Sequence, residues 1–407
     1  MNGQRALVFI FCTVTIDIMA LGLVIPVLPT LVLGFMGGDT AGAAQVFGVF
    51  ATVWAAMQFI FSPVLGALSD RHGRRPVILL SCLGLGLDYI FMALAPSLLL
   101  LFVGRIISCI TSATIGTASA YIADVAAPEK RARAFGTIGV AFGLGFVIGP
   151  AIGGLLGGFD PRLPFWVAAG LCLANVAFGW FVLPESLPPE RHMAFKWARA
   201  NPLGSLKLLR SHRQLLGLAG VDFLGQLAHQ VLPAVFVLYA LHRYGWGEAA
   251  VGLTLAGVGI CSAVVQGALV GPLVARWGER RTLVAGLLFG AAGMAVYGLA
   301  PTGPIFWLGI PLMAVWGLAG PSVQGLMTRL VSPSEQGQLQ GASTALMAIS
   351  GLVGPGIFAS IFAYAIDGGA VLDLPGAPWL LAALLLVAAA AAAWRVTAPG
   401  RSGVPVR

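Results

Sequence analysis

Asp17, Asp88 and Arg105 each stand inside a long apolar stretch, where an ionisable side chain is costly and therefore a functional suspect. Asp17 lies about 12 residues into its stretch, roughly 18 Å along a helix that rises 1.5 Å per residue. Two readings fit it: a carboxyl that takes up and releases a proton, or a structural carboxyl satisfied by Thr13 one turn away. Asp88 is midway along another stretch with no obvious local partner, and burial disfavours the charged form of such a carboxyl, as proton carriage requires. Arg105 keeps its charge and must find an anion or an acceptor. Further on, Asp222, Gln226, His229 and Pro233 recur at i, i+4, i+7 and i+11, a single helical stripe with Gln230 beside it. Facing lipid, that stripe would be prohibitively expensive, so it is expected to face a cavity. Asp222 is near the end of its stretch, where simple hydration is a second reading. His229 is either a group that titrates near neutral pH or a neutral hydrogen-bonding residue. Gln58, Gln266 and Gln324 add neutral polar groups able to orient a ligand. Together these residue types offer reversible protonation and polar recognition of a small molecule. No catalytic triad, metal-ligand cluster or phosphate-binding loop accompanies them, so neither enzymatic chemistry nor ATP hydrolysis is expected.

The elements that must position these residues are transmembrane helices. Of 407 residues, 58% are hydrophobic and 9% charged, against about 25% charged in an ordinary soluble domain. Apolar runs of about 20 residues recur along the chain, each able to cross a roughly 30 Å hydrocarbon core. A soluble enzyme is excluded. Segments bounded by charges, Gly and Pro predict twelve helices, over 5–34, 43–69, 76–95, 97–125, 132–157, 163–183, 214–241, 248–275, 281–300, 303–330, 338–366 and 374–395. A hydrophilic linker over 184–213 separates a six-helix bundle at 1–183 from a second at 214–407. Near the linker's end, Leu203, Leu206, Leu209 and Leu216 beside Lys207, Arg210 and Arg213 predict an amphipathic segment lying on the inner leaflet.

The net charge of +8 would suggest nucleic acid in a soluble chain, but its distribution explains it better. One set of connections and ends carries Arg5, Arg71, Arg74, Arg75, Lys130, Arg131, Arg133, Arg191, Lys196, Arg199, Lys207, Arg210, Arg213, Arg276, Arg280, Arg281, Arg329, Arg395, Arg401 and Arg407. The opposite side receives only Arg162 and Arg243. This is the positive-inside pattern, and it predicts both termini in the cytoplasm. No basic cluster is interleaved with aromatics, so no nucleic-acid partner is expected. Cys12, Cys82, Cys109, Cys172 and Cys261 all fall in apolar stretches without a CxxC pair and read as buried small residues. The first stretch is too long for a signal peptide and lacks a small-residue cleavage site, so it is expected to be retained.

The two halves repeat. Gly66-Ala-Leu-Ser-Asp70-Arg71-His-Gly73-Arg74-Arg75 matches Gly271-Pro-Leu-Val-Ala275-Arg276-Trp-Gly278-Glu-Arg280 at a shift of 205 residues. Pro128 maps to Pro333, Gly136 to Gly341 and Gly149-Pro150 to Gly354-Pro355 at the same shift. Parallel six-helix repeats with a binding site at their interface are a transporter architecture. In the first of these turns Gly66 and Gly73 permit close helix approach and a tight turn. Asp70 stands among Arg71, Arg74 and Arg75, and Asp124 is placed to accept a charge-assisted bond from them. Such a network would latch the cytoplasmic side shut and break on opening, a gating role. Gly145, Gly149, Gly153 and Gly154, at i, i+4, i+8 and i+9 with Pro150 among them, predict close helix packing.

The 66–76 segment closely resembles the loop 2–3 signature of the major facilitator superfamily. The wider chain resembles the tetracycline/proton antiporters of its drug-exporting branch. The likeness runs through the Asp17 helix with Pro26-Val-Leu-Pro29, Met57-Gln58-Phe59, Pro63-Val-Leu-Gly-Ala-Leu-Ser-Asp70, Leu87-Asp88-Tyr89, Gly104-Arg105-Ile106 and Tyr121-Ile-Ala-Asp124. It continues in Leu183-Pro-Glu-Ser186, Gly278-Glu-Arg-Arg281 and Gly337-Gln-Leu-Gln-Gly341. The resemblance implies an all-α membrane protein, twelve helices in two pseudo-symmetric six-helix bundles. It also implies that the helices of Asp17 and Arg105 line one cavity, which makes Asp17 a partner for Arg105. The glycines around Pro150 look like the motif of drug antiporters. The chain departs from the family in two places: Gly290 stands where those exporters carry an acid in helix 9, and Ser262 where they carry a histidine in helix 8. Asp222 is then the second-half carboxylate, on another helix.

The function so implied is proton-coupled efflux of an amphipathic, tetracycline-like molecule by alternating access. Asp17, Asp88 and Asp222 would couple protons, while Gln58, Arg105, Gln226, His229, Gln230, Gln266 and Gln324 would bind substrate. Protons are the coupling ion, no cofactor is needed, and a divalent cation would arrive only as a chelate of the substrate. The lipid bilayer is the surrounding partner, and the monomer suffices. Two rivals share the scaffold: a proton-coupled importer of a metabolite, against which the Pro150 glycines weigh, and a non-transporting sensor.

Overall fold

The computed structural model describes residues 3–111, 114–125, 131–188, 190, 204–332, 335–367 and 374–398. Pro128, Lys130, Arg191, Lys196, Arg199, Leu203, Pro333, Arg401 and Arg407 from the patterns above lie outside the described residues. Most of the described residues are helical, and no strand occurs among them.

The first expected span divides into α1 (Gly3–Val24) and α2 (Leu28–Phe35). Pro26 and Pro29 remove two helical donors, and the turn between is closed by three-residue bonds, Ile25 N to Gly22 O and Val27 N to Val24 O. Next come α3 (Thr40–His72), α4 (Arg74–Leu94), α5 (Leu98–Thr111), α6 (Thr114–Val125), α7 (Arg131–Gly157) and α8 (Leu163–Val182). After the linker, the single helix expected at 214–241 is broken into α9 (Arg213–His229) and α10 (Val231–Tyr244). Pro233 has no N–H to offer His229 O, and Gln230 N bonds back to Leu227 O instead, at 3.1 Å. This break lies 205 residues after Ile25, so the repeat extends to helix discontinuities. The chain continues through α11 (Glu248–Val264), a π-turn (Val265–Leu269), α12 (Val270–Leu299), α13 (Gly303–Trp316), α14 (Ala319–Thr328), α15 (Gln336–Ile366) and α16 (Ala377–Val396). Pro321 imposes the same kind of break between α13 and α14.

Among the described residues, eleven apolar helical runs are long enough to cross a membrane, which makes this a multi-pass membrane protein. One run, Glu248–Leu299, has 52 residues, about 78 Å of helix and more than twice the hydrocarbon thickness. Inside it Gly278 has φ 77 and ψ 159, where the sequence predicts the turn between two spans.

Contacts divide the chain into two units. Unit 1 gathers Met1–Gly38, Val53–Asn201 and Trp246–Gly259, and unit 2 gathers Asp39–Thr52, Pro202–Gly245 and Ile260–Arg407. In unit 1 the core is built where α1, α4 and α6 meet, from Phe9, Ile10, Val14, Ile18, Ile78, Tyr121 and Ile122. In unit 2 an aromatic cluster joins Tyr239, Tyr297, Phe306 and Trp379, with the Tyr239 hydroxyl donating to Tyr297 O at 2.8 Å. The linker's end corrects an expectation. A 3₁₀ segment, Gly204–Arg210, packs on α9 and α15 and buries Leu208 and Leu209, leaving Lys207 and Arg210 exposed. Protein, not the leaflet, uses its apolar side, and Leu216 is exposed on α9.

Candidate functional site

In unit 1 the turn from α3 to α4 is an electrostatic node. Gly73 has φ 96 and ψ 161, a region that only glycine enters freely. Arg74 pairs with Asp70 at 2.6 Å and Asp124 at 3.2 Å, and donates to Ser69 Oγ at 2.6 Å. Its side chain is only 10% exposed. Glu185, just beyond α8, lays its carboxylate on the N-terminus of α4. It accepts from Arg74 N at 2.8 Å, Arg75 N at 3.1 Å, Ser186 N at 2.9 Å and Leu187 N at 3.0 Å, where an anion is favoured by the helix dipole. A side chain at residue 73 would collide with that carboxylate. Arg75 donates to Trp180 O at 2.7 Å with its guanidinium over the Trp180 ring. Ser186 Oγ donates to Asp124 at 3.2 Å. Two residues expected in this cluster stand apart from it. Arg71 is exposed outside the network, and no atom crowds the face of Gly66, so the close approach expected there does not occur. Glu185 was legible only as part of a quoted motif, because its role depends on a fold that returns α8 to the start of α4.

Unit 2 carries the counterpart. Gly278 adopts the Gly73 conformation, and Arg280, equivalent to Arg75, donates to Trp394 O at 3.0 Å and lies 4.1 Å over its ring. Glu279 and Arg329, each 205 residues after Arg74 and Asp124, form an ion pair at 2.8 Å with the charges exchanged. Here the arginine side chain is 72% exposed.

Within the bundle of unit 1, Asp17 does not pair with Arg105. Its Oδ1 accepts from Cys82 Sγ at 3.7 Å, while Thr13 Oγ1 has no hydrogen-bond partner among the described residues, so Thr13 is not what satisfies it. Asp88 is buried on α4, with both oxygens unpartnered among the described residues. Gly104 of α5 faces it, and Ser108 and Arg105 lie around it. The Arg105 guanidinium instead sits 5.8 Å from the Trp54 ring centre, a cation–π contact that the sequence pattern did not indicate. Gln58 is half-buried on α3.

In unit 2 the α9 stripe survives as far as the break: Gln226 lies beside the Asp222 carboxylate, and His229 is exposed at the helix end, its ring 5.7 Å from that of Trp316. Gln230 packs on Gly354 of α15, Gln266 is exposed beside Gly317, and Gln324 is half-buried with an unpartnered Nε2. Trp316 was not singled out from sequence, yet it occupies the space beside Gly290. A methyl there would lie 2.7 Å from the Trp316 Cγ and 3.1 Å from Leu386 Cδ1. A carboxylate side chain at 290 has no room.

The α7 glycines serve two faces. Gly145, Gly149 and Gly153 meet α1, where a methyl at 149 would lie 2.7 Å from Met19 O and one at 153 would collide with Leu23. Gly154 instead meets Glu248 and Gly252 of α11, and Pro150 O faces Gly252. Contacts this close are the packing advantage of small residues in membranes.

This architecture and these motifs are shared. A family model described as the Major Facilitator Superfamily matches residues 10–355. The class C tetracycline resistance protein of Escherichia coli is 40% identical over 366 residues, 89% of this chain and 91% of that one. The class G protein of Vibrio anguillarum is 38% identical over 378 residues, 91% of this chain and 93% of its own. Among solved structures, the human organic anion transporter MFSD10 (TETRAN) superposes with a TM-score of 0.70 at 24% identity, covering 97% of this chain and all of that one. The nucleoside transporter NupG reaches 0.76 at 15% identity over 97% of this chain and 99% of its own; both likenesses speak to the fold alone. With its duplicated glycine turns, its buried carboxyls and this end-to-end kinship, the chain belongs to the Major Facilitator Superfamily of membrane transporters, in the family of the tetracycline resistance proteins.

Proposed function

We propose that the protein is a proton-driven exporter that removes a tetracycline-like, amphipathic compound from the cytoplasm by alternating access. The observation that carries this reading is the identity of 33–40% to tetracycline resistance proteins over most of the chain, together with two buried carboxyls, Asp17 and Asp88, that no cation among the described residues holds in an ion pair. A carboxyl in that state can change protonation without first breaking a salt bridge. Asp222 is the second-half candidate for the same role. Arg105, Gln58, Gln226, His229, Gln230, Gln266 and Gln324 supply polar recognition, and the Arg74 node holds the cytoplasmic end closed until the cycle opens it. The halves at 1–183 and 214–407 work as one monomer in the inner membrane, with both termini cytoplasmic as the basic residues suggest. No cofactor takes part beyond protons and a divalent cation carried in as a substrate chelate.

The test is proton release from inverted, acidified membrane vesicles on adding tetracycline with magnesium. Wild type is expected to dequench an internal pH dye, and Asp88→Asn and Asp17→Asn to remain silent although folded and inserted. Full release in both variants, or none from well-folded wild type, would sink the assignment.

A further inference from the structure

Asp17 is the end of a directed hydrogen-bond chain that starts on another helix. Asn175 of α8 donates through Nδ2 to Thr13 O at 3.2 Å and to Cys82 Sγ at 3.6 Å. A backbone carbonyl only accepts, so the amide orientation of Asn175 is fixed. With its sulfur accepting from Asn175, Cys82 of α4 directs its thiol proton at Asp17 Oδ1, 3.7 Å away. Thr13 O is also the carbonyl one helical turn before Asp17, so the same amide ties α8 to the turn that carries the carboxyl. Asp17, Cys82, Asn175, Thr13 and Thr114 are all buried. Here the bonds run from α8 through the α4 thiol to one carboxylate oxygen of α1, and Asn175 Oδ1 and Thr13 Oγ1 are left unpartnered among the described residues.

We propose that Cys82 and Asn175 are positioning residues for Asp17: Asn175 orients the Cys82 thiol, and the thiol holds and stabilises the carboxylate. This deepens the exporter reading, in which Asp17 carries the proton, and rests on it. Among the described residues, the titratable groups that face Asp17 are Cys82 and Tyr89 of α4 and Cys172 of α8. From α6 comes the neutral Thr114, which hydrogen-bonds the Asp17 carboxyl and lies 4.0 Å from the Cys82 sulfur, and α7 meets α1 through glycines. With no cation among these neighbours, the Cys82 thiol and the Thr114 hydroxyl are the hydrogen-bond donors to the carboxylate, and of the two only the thiol is itself held by a second helix through Asn175.

The experiment uses the purified full-length protein in liposomes and needs no substrate. Infrared difference spectra across a pH titration give the Asp17 carboxyl band, identified by its loss in Asp17→Asn, and the Cys82 S–H band, identified by its loss in Cys82→Ser. In Cys82→Ala and Asn175→Ala the carboxyl midpoint is expected to move to higher pH by about half to one unit, below the roughly one to two units of a full-strength hydrogen bond to an anion because a thiol is a weak donor. Cys82→Ser keeps a donor and is expected to stay near wild type. The S–H band should shift in Asp17→Asn and in Asn175→Ala. An unchanged carboxyl midpoint in folded Cys82→Ala, or an S–H band indifferent to Asp17→Asn, would overturn the proposal. The pH profile of tetracycline-driven proton release should move with the infrared midpoint. If wild type releases no protons while the infrared coupling is present, the exporter reading falls and the Asp17–Cys82 coupling stands.

Discussion

At Gly73 the chain leaves α3 with φ 96 and ψ 161, and at Gly278 it turns with φ 77 and ψ 159. After each glycine an ion pair ties the start of the next helix to the end of another, Arg74 to Asp124 in unit 1 and Glu279 to Arg329 in unit 2. The backbone has been kept and the charges exchanged. The turn's geometry demands glycine, whereas the ion pair demands only complementarity, so its sign is free to differ. The surroundings are not equivalent. Arg74 is sunk among Asp70, Asp124 and Ser69, beneath a carboxylate from Glu185. Arg329 pairs with Glu279 through a side chain that is 72% exposed. One turn is a networked node and the other a single pair between a largely buried glutamate and an exposed arginine.

The largest test of that difference is Gly73→Ala against Gly278→Ala. Both pay about 1–3 kcal/mol for a side chain in this extended positive-φ region. The first also drives a methyl onto Glu185, for a total of about 2–4 kcal/mol, while nothing lies within 4 Å of the second. Thermal unfolding in detergent should show the larger loss at 73, and equal losses would show that Glu185 does not occupy that space. Next, Arg74→Ala should cost about 2–3 kcal/mol, because it strands carboxylates in a partly buried setting. Arg329→Ala should cost less, about 1–2 kcal/mol, because it strands one largely buried carboxylate, Glu279, rather than two acids. The comparison sharpens with exchanged pairs. Glu279→Arg with Arg329→Glu should restore most of the transport lost in Glu279→Arg alone. Arg74→Asp with Asp124→Arg should stay inactive, because Asp70 and Glu185 keep their sign. Rescue in unit 1 as complete as in unit 2 would mean that the node is no more than its one pair. The smallest effect is expected for Glu185→Gln, about 1 kcal/mol, since the amide oxygen still accepts from the α4 N-terminus. A cysteine-accessibility assay at Ser186 should report slightly faster labelling.

Much of this was legible along the chain because its causes are local. Apolar length sets a span, and glycine beside charges sets the turns at 73 and 278. What escaped depends on encounters between distant residues or on a competing local rule. Pro233 was read as a member of the α9 stripe, yet its missing N–H breaks the helix just after His229. Arg105 and Asp17 both needed partners, but pairing them ignored Trp54 on α3 and Cys82 on α4, which only the fold brings near. Gly290 stood out as a lost acid, and its physical counterpart is Trp316, whose ring fills the volume that a carboxylate would need. Nothing in the spacing of 290 and 316 announces that contact.

Unit 2 counts Asp39–Thr52 among its residues, and there Gly48 closes on Ala359 and on the carbonyl of Pro355. A ribosome adding about 5–20 residues each second makes residue 48 wait for residue 359, 311 positions later, for roughly 15 to 60 s. During that interval the first part of α3 is already in the membrane with its glycine face uncovered. A truncated or stalled nascent chain would expose this face to other helices.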